Sequence, residues 1–433
     1  MLNSRPLRDA FRLLSGNVLI FSITGMLGNL ARRMVLPYVS LYILALGGDA
    51  TQIGLINSLR PLAGLIAFPI AGHLADHAGR VKIIVLANFL SAIVVALYFV
   101  APTWEVIAVG AAVQGFVVLM FPARSALIAD SLSPGDRGRG IAAMNTIMSG
   151  PAVLAPFVAG VVVDRYGPNG GVRALYGVMV VLYVASGVVH LRYLEETTST
   201  HLRQRLRLSQ LPGLLREAYA EIPATLQGLS RPLWALAGVV VLNFMSNAVV
   251  SSFWVVYAVE QIGLSSSAWG LVLLIETALQ IALFVPAGTL VDRWGRTVSL
   301  FVALLLSVVA IPSFVLASSF LSVLLVRAVV AVAFVIAIPA CSALMADLVP
   351  REKRGRVMAA LGQGGIMIGV AGGGTGGPAA GFVVTIPLML ASLAGGYLYT
   401  ASPTYPWIFV LVATSLSILL TLFFIRDPRR AEA

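Results

Sequence analysis

Charge is scarce in this sequence. Asp, Glu, Lys and Arg together make up 11% of its 433 residues, where a soluble domain carries about 25%. A chain so poor in charge lacks the side chains to cover a water-facing surface of this size. Cysteine is scarcer still: Cys341 stands alone, which excludes an internal disulfide and a cysteine metal cluster. The four histidines, His73, His77, His190 and His201, have no ligand spacing and read as solvated or interfacial side chains. No metal and no cofactor is expected. A Gly-Lys-Ser/Thr phosphate loop is also missing, so no nucleotide drives whatever the protein does. Behind Arg5, Arg8 and Arg12 the first apolar run shows no small-residue cleavage site and reads as a retained span rather than a removed leader.

What is present is oil. Hydrophobic residues make up 59% of the chain and the mean hydropathy is +0.93. They gather in runs such as "VKIIVLANFLSAIVVALYFVA" and "VSLFVALLLSVVAIPSFVLA", each longer than the ~18 apolar residues that cross a bilayer. The chain is expected to be a polytopic membrane protein of the cell (inner or plasma) membrane, with the lipid bilayer as its surroundings. The net charge of +11 is scattered between the runs rather than gathered on one face, so no nucleic-acid partner is expected.

The polar breaks divide the chain into twelve candidate spans. They are 16–46, 51–74, 82–101, 104–129, 139–163, 173–194, 232–262, 267–290, 297–317, 319–346, 354–400 and 405–426. With the N-terminus inside, the cytoplasmic segments hold 22 of the 29 Lys and Arg, and the outer loops only Arg165 and Arg173. That bias sets the orientation, with both termini cytoplasmic. The other five (Arg32, Arg33, Arg60, Arg124 and Arg327) fall inside spans.

The chain also repeats itself. "AGHLADHAGRVK" (71–82) returns as "AGTLVDRWGRTV" (287–298), and "FPARSALIADSLSPGDRGRG" (121–140) returns as "IPACSALMADLVPREKRGRV" (338–357). Two six-span halves in parallel repeat, 1–194 and 232–433, are joined by a polar cytoplasmic linker, 195–231, with amphipathic helix character. Such halves pack about an axis along the membrane normal and enclose a mid-membrane site.

On these motifs the sequence resembles the major facilitator superfamily over essentially its full length. Gly72, Asp76, Gly79 and Arg80 fall between spans 2 and 3, and Gly288, Asp292, Gly295 and Arg296 between spans 8 and 9. The resemblance implies an all-α fold of twelve transmembrane helices in two pseudo-symmetric six-helix halves, and a transporter rather than an enzyme. The nearest pattern is the drug-efflux (drug:proton antiporter) branch. It also implies a latch between the halves that stabilises one access state, with Arg80 held by Asp76 and Asp130, and Arg296 by Asp292 and Asp347. Ordinary loop solvation is the alternative. The family's span-4 arginine position is Ala111 here, and its repeat counterpart in span 10 is Arg327.

Charges inside spans are costly and each needs a reason. Glu276 in span 8 is the one acidic residue deep in a span, and its repeat counterpart is Arg60 in span 2. Either Glu276 carries a proton, or Glu276 and Arg60 form a fixed pair closing the outer side. Arg32 and Arg33 are about 100° apart on span 1, so one is expected to meet substrate or Glu276 and the other an inner charge or a lipid headgroup. Pro37 is expected to bend that span. Arg124 reads as snorkelling to the inner surface. Tyr38 and Trp254 are candidates for contact with an organic substrate, along with Tyr42, Phe116, Met120, Phe253, Tyr257 and Phe334. Asn243 and Asn247 share a face of span 7 and would bond substrate or the next helix. In span 11, Gly365, Gly369, Gly373, Gly377 and Gly381 recur every fourth residue, a strip read as close helix packing. The run 354–400 exceeds one crossing, so a broken or extended helix near the outer face is expected.

The leading functional reading is secondary active transport by alternating access. A small amphipathic organic molecule would be exported by a monomer coupled to protons or another ion. An organic-anion carrier using Arg32, Arg33 and Arg327 is the second reading, and a non-transporting membrane sensor the third.

Overall fold

The computed structural model describes residues 14–77, 79–197, 212–213, 215–216, 219–220, 229–349, 354–362, 365–372 and 381–426. Among them every regular element is helical. Ten stretches are long and apolar enough to cross a bilayer. One of these, Arg137–Tyr193, is about two crossings long. It reverses at Gly167, whose φ of 74° favours glycine, and Pro168 follows. Ala50–His77 adds a further 28-residue helix. The set is consistent with the twelve spans expected. Most of the linker lies outside the described residues.

Several spans are interrupted. Span 1 runs Gly16–Val35, tightens to a 3-10 turn at Leu36–Tyr38 and resumes at Val39–Ala45, because Pro37 offers no N–H. Span 4 tightens in the same way at Gly115–Leu119. Span 7 is split into Arg231–Val250 and Phe253–Glu260.

Span 11 is broken, and it corrects one expectation. Its helical parts are Arg354–Leu361 and Phe382–Ala401, and residues 365–372 between them are not helical. The glycines do not form a strip on a helix. Gly369 and Gly372 have φ of 59° and 104°, a region L side chains avoid, while Gly373 and Gly377 lie outside the described residues. Irregular backbone at membrane depth survives only where it is covered by protein or lines a cavity. Here the Gly372 N–H donates to the Ser251 carbonyl at 3.0 Å, and the Gly369 carbonyl accepts from Arg327 at 2.7 Å.

The two copies of the loop motif fold alike. Gly79 and Gly295 precede spans 3 and 9 with φ of 81° and 88°, a left-handed turn that reverses the chain within one residue. At the opposite end of the bundle the N- and C-terminal spans touch. Span 2 packs along span 11, and the span 5–6 helix along span 8. A cluster of aromatics fills the C-terminal side of that end: Trp254 meets Phe314 edge-on at 4.5 Å, and Phe314 stacks on Trp407 at 5.8 Å.

Candidate functional site

Hydrogen bonds between N-terminal and C-terminal spans all lie, among the described residues, at the middle or far end of the bundle, away from the loop motifs. The Tyr38 hydroxyl sits 2.6 Å from the Pro156 carbonyl and 3.1 Å from that of Ser266. Asp164 accepts from the backbone N–H groups of Ser266 and Ser267 at 2.8 and 2.9 Å. It thereby caps span 8 from across the interface, where the helix leaves its first N–H groups free. The Thr51 and Thr400 hydroxyls meet at 3.0 Å, and Asn57 donates to Ser252 at 2.8 Å. Gly54 lies against Gly396, and Gly160 and Gly270 each leave room for the Tyr38 hydroxyl. Together these contacts form a seal.

On the motif side of the seal lies a cavity of about 450 Å³. Arg32 and Gly28 from span 1, Arg60 and Phe68 from span 2, Asn88 and Ser91 from span 3, and Gln114, Phe121 and Arg124 from span 4 all line it. Span 6 adds Tyr183 and His190, and span 11 adds Thr385 and Leu388. A smaller chamber of about 80 Å³ continues toward the seal, and Arg32, Leu36, Arg60 and Gln114 border both spaces. The site is thus largely built from the N-terminal spans, with span 11 as its far wall.

The arginines are held by neutral partners. Arg60 donates to Gln114 Oε1 at 2.6 Å, and Arg32 to Asn29 Oδ1 at 2.6 Å. Arg124 lies over the Phe21 ring, 5.2 Å from its centroid, and 3.8 Å from the Met148 sulfur. Arg124 is therefore turned into the cavity rather than snorkelling. His190 corrects a second reading: only 3% exposed, it pairs its Nε2 with the Thr24 hydroxyl at 2.9 Å and rests on Phe21. Its position at the end of a span suggested an interface, but the ring folds inward over span 1.

Glu276 does not pair with Arg60. Both its oxygens are taken by Arg327 at 2.6–2.9 Å, and Gln280 donates to it at 3.2 Å. Repeat symmetry relates Arg60 to Glu276 across the axis, but the carboxylate finds its partner in the adjacent span 10 of its own half. Arg327 is 1% exposed. Its third nitrogen holds the Gly369 carbonyl, and its guanidinium carbon lies 4.5 Å from the Trp254 ring centre. Arg33, the neighbour of Arg32, turns toward span 8 and donates to Thr277 at 3.4 Å. The two adjacent arginines separate as their helical angle requires.

Other expected substrate residues are structural. Tyr38 belongs to the seal, and Trp254 is 0% exposed in the aromatic cluster. Asn243 donates to the Val239 carbonyl at 2.9 Å and to Ser417 of span 12 at 3.4 Å, and Asn247 to the Met367 sulfur at 3.6 Å. Of the eight aromatic and sulfur candidates only Met120 lines the large cavity. Phe68, Phe121 and Tyr183 do so without having been singled out by sequence. A polar or aromatic residue facing a cavity and one facing a neighbouring helix leave the same mark in a run this apolar.

At the motif end, Arg80 pairs with Asp130 and donates to Thr197, while Glu196 accepts from the Val81 N–H at 3.1 Å. Arg296 pairs with Asp347. Each pair ties adjacent spans of one half, 3 to 4 and 9 to 10, and neither crosses between the halves. The carboxylate nearest each arginine is Asp130 or Asp347, at the motif end of the neighbouring antiparallel span. Asp292 is exposed. The surroundings of the Asp76 side chain and of Gly72 lie outside the described residues, as do those of His73, His77 and His201.

The Major Facilitator Superfamily model matches residues 21–241 and again 236–433. The multidrug resistance protein MdtG of Serratia proteamaculans is 29% identical over 173 residues, 38% of this chain and 41% of that protein. The match thus spans about two fifths of the MdtG length. An uncharacterized MFS-type transporter of Methanocaldococcus jannaschii is 22% identical over 80% of this chain and 86% of its own. Among solved structures, the nucleoside transporter NupG aligns with a TM-score of 0.65 at 14% identity, covering 95% of this chain and 98% of that one. A bacterial homolog of the human lysosomal transporter Spinster, inward-facing and unoccupied, gives 0.65 at 16% identity, with 96% and 98% covered. At these identities the structural likeness concerns the fold.

Proposed function

Since this chain belongs to the Major Facilitator Superfamily by a model matching both its halves, we propose that it exports a small amphipathic organic compound by alternating access, driven by the proton gradient. The carrying observation is the far-end seal above a cavity with both polar and apolar walls. In this reading the motif end faces the cytoplasm, and the protein is poised to load from inside. The seal is made of a few hydrogen bonds and glycine contacts, so it can open when the halves rock. The similarity to multidrug resistance proteins supports export and an organic substrate.

Glu276 is proposed as a structural clasp rather than the proton carrier, because Arg327 occupies both its oxygens. The clasp also holds the broken part of span 11 to span 10 through Gly369.

The test is flux in proteoliposomes, with 2-naphthoate and 2-naphthylmethylamine as amphipathic probes under an imposed pH gradient. The double variant Thr51→Cys/Thr400→Cys adds a reversible lock on the seal. Gradient-dependent flux of at least one probe is expected, stopped by oxidation of the cysteine pair and restored by reductant. Flux of neither probe, or flux indifferent to the lock, overturns the reading.

A further inference from the structure

The large cavity carries an unbalanced charge. Arg32, Arg60 and Arg124 line it, and no Asp or Glu does so among the described residues. Their partners are an asparagine, a glutamine, a sulfur and an aromatic face, none of which neutralises a guanidinium. Arg32 and Arg124 carry like charge and line the same space. Cations in the membrane interior normally pair with carboxylates or backbone carbonyls. The molecule uses that solution between spans 8 and 10, where Arg327 meets Glu276, and withholds it here.

Polar side chains of Asn88, Ser91, Gln114 and His190 share this lining with the arginines, and none of them carries a negative charge. Leu36, Phe68, Val118, Met120, Phe121 and Leu388 supply apolar wall.

Resting on the transport reading above, we infer that the cavity is an anion site and that the transported compound is an organic anion, with its acidic head at Arg32 and Arg60 and its apolar body against Phe68 and Phe121. Arg32 and Arg60 border both the large cavity and the small chamber, so a carboxylate or phosphonate placed there meets two forked donors at once. Guanidinium matches such groups bidentately, and hydrogen bonds of this kind are the strong ones. Arg124 stands at the cytoplasmic side of the same space and attracts the anion on entry. An anionic phospholipid headgroup shares this chemistry, and the experiment separates the two sources.

The full chain is placed in nanodiscs of phosphatidylcholine alone, and binding of 2-naphthoate and 2-naphthylmethylamine is measured. The carboxylate is expected to bind and the amine to bind at least about tenfold more weakly. Arg32→Gln and Arg60→Gln should each weaken the carboxylate by about tenfold to a hundredfold, as loss of a charged hydrogen bond implies. Arg124→Glu supplies a carboxylate to the cavity and should shift the preference toward the amine, a gain that a misfolded protein would not show. Equal binding of the two probes, or indifference to the three variants, overturns the inference. So does binding confined to phosphatidylglycerol in mixed nanodiscs with no affinity for free 2-naphthoate. Gradient-driven flux of the amine alone would sink the anion site and leave the transport reading standing. Arginine-dependent carboxylate binding without flux would do the reverse.

Discussion

At the scale of single residues, the arginines divide into those that are neutralised and those that are not. Arg327 is embedded with its charge satisfied, and removing either partner leaves the other buried and alone. Glu276→Gln or Arg327→Gln is expected to cost about 3–5 kcal/mol, whereas the double variant should recover most of that loss. Tryptophan-monitored unfolding in detergent reads this directly, since Trp254 lies against Arg327. A Glu276→Gln protein as stable as wild type, but deaf to the pH gradient, would return Glu276 to the role of proton carrier. Sequence made each of these residues conspicuous, because charge inside an apolar run has no bland explanation. It did not pair them correctly. The repeat relates Arg60 to Glu276 by symmetry, but contact is decided by adjacency, and spans 8 and 10 pack together. His190 was invisible for the opposite reason: at the end of a span a polar ring needs no explanation.

At the scale of elements, glycine and proline decide where spans bend and how near they come. Pro37 was legible as a bend because its missing N–H acts locally. The glycines of span 11 were misread, since a four-residue spacing suits a packing face as well as it suits an unwound segment. Only φ at Gly369 and Gly372 separates the two. Elsewhere glycine does serve close approach. A side chain at Gly160 or Gly270 would collide with the Tyr38 hydroxyl and with the backbone of the facing span. Gly160→Leu or Gly270→Leu is therefore expected to hold spans 5 and 8 apart and keep the far end open. With Cys341, the buried native thiol, replaced by alanine, a cysteine at Asn57 should then react several times faster with an impermeant maleimide from the far side. Unchanged labelling would mean that the seal does not depend on this contact.

At the scale of the whole molecule, twofold organisation was the most legible property, because duplication leaves sequence marks at constant spacing. The matched turns at Gly79 and Gly295, and the matched pairs Arg80–Asp130 and Arg296–Asp347, repeat those marks in space. The asymmetry between the halves was not legible. The cavity belongs mainly to the N-terminal spans and the neutralised clasp to the C-terminal ones, a division of labour that the repeat itself conceals. Its consequence is electrical. A protein that exposes three uncompensated guanidiniums first to one side of the membrane and then to the other is, when empty, a moving charge. One charge crossing 100 mV exchanges ~2.3 kcal/mol, so three charges crossing a third of that field exchange about as much. With the proposed alternating access and anion site, a negative interior would hold the empty protein facing the cytoplasm, and a bound anion would cancel part of that pull. Substrate-free protein on a solid-supported membrane should accordingly give a capacitive current after a voltage step, reduced in Arg60→Gln; silence in both would mean that the arginines stay outside the field.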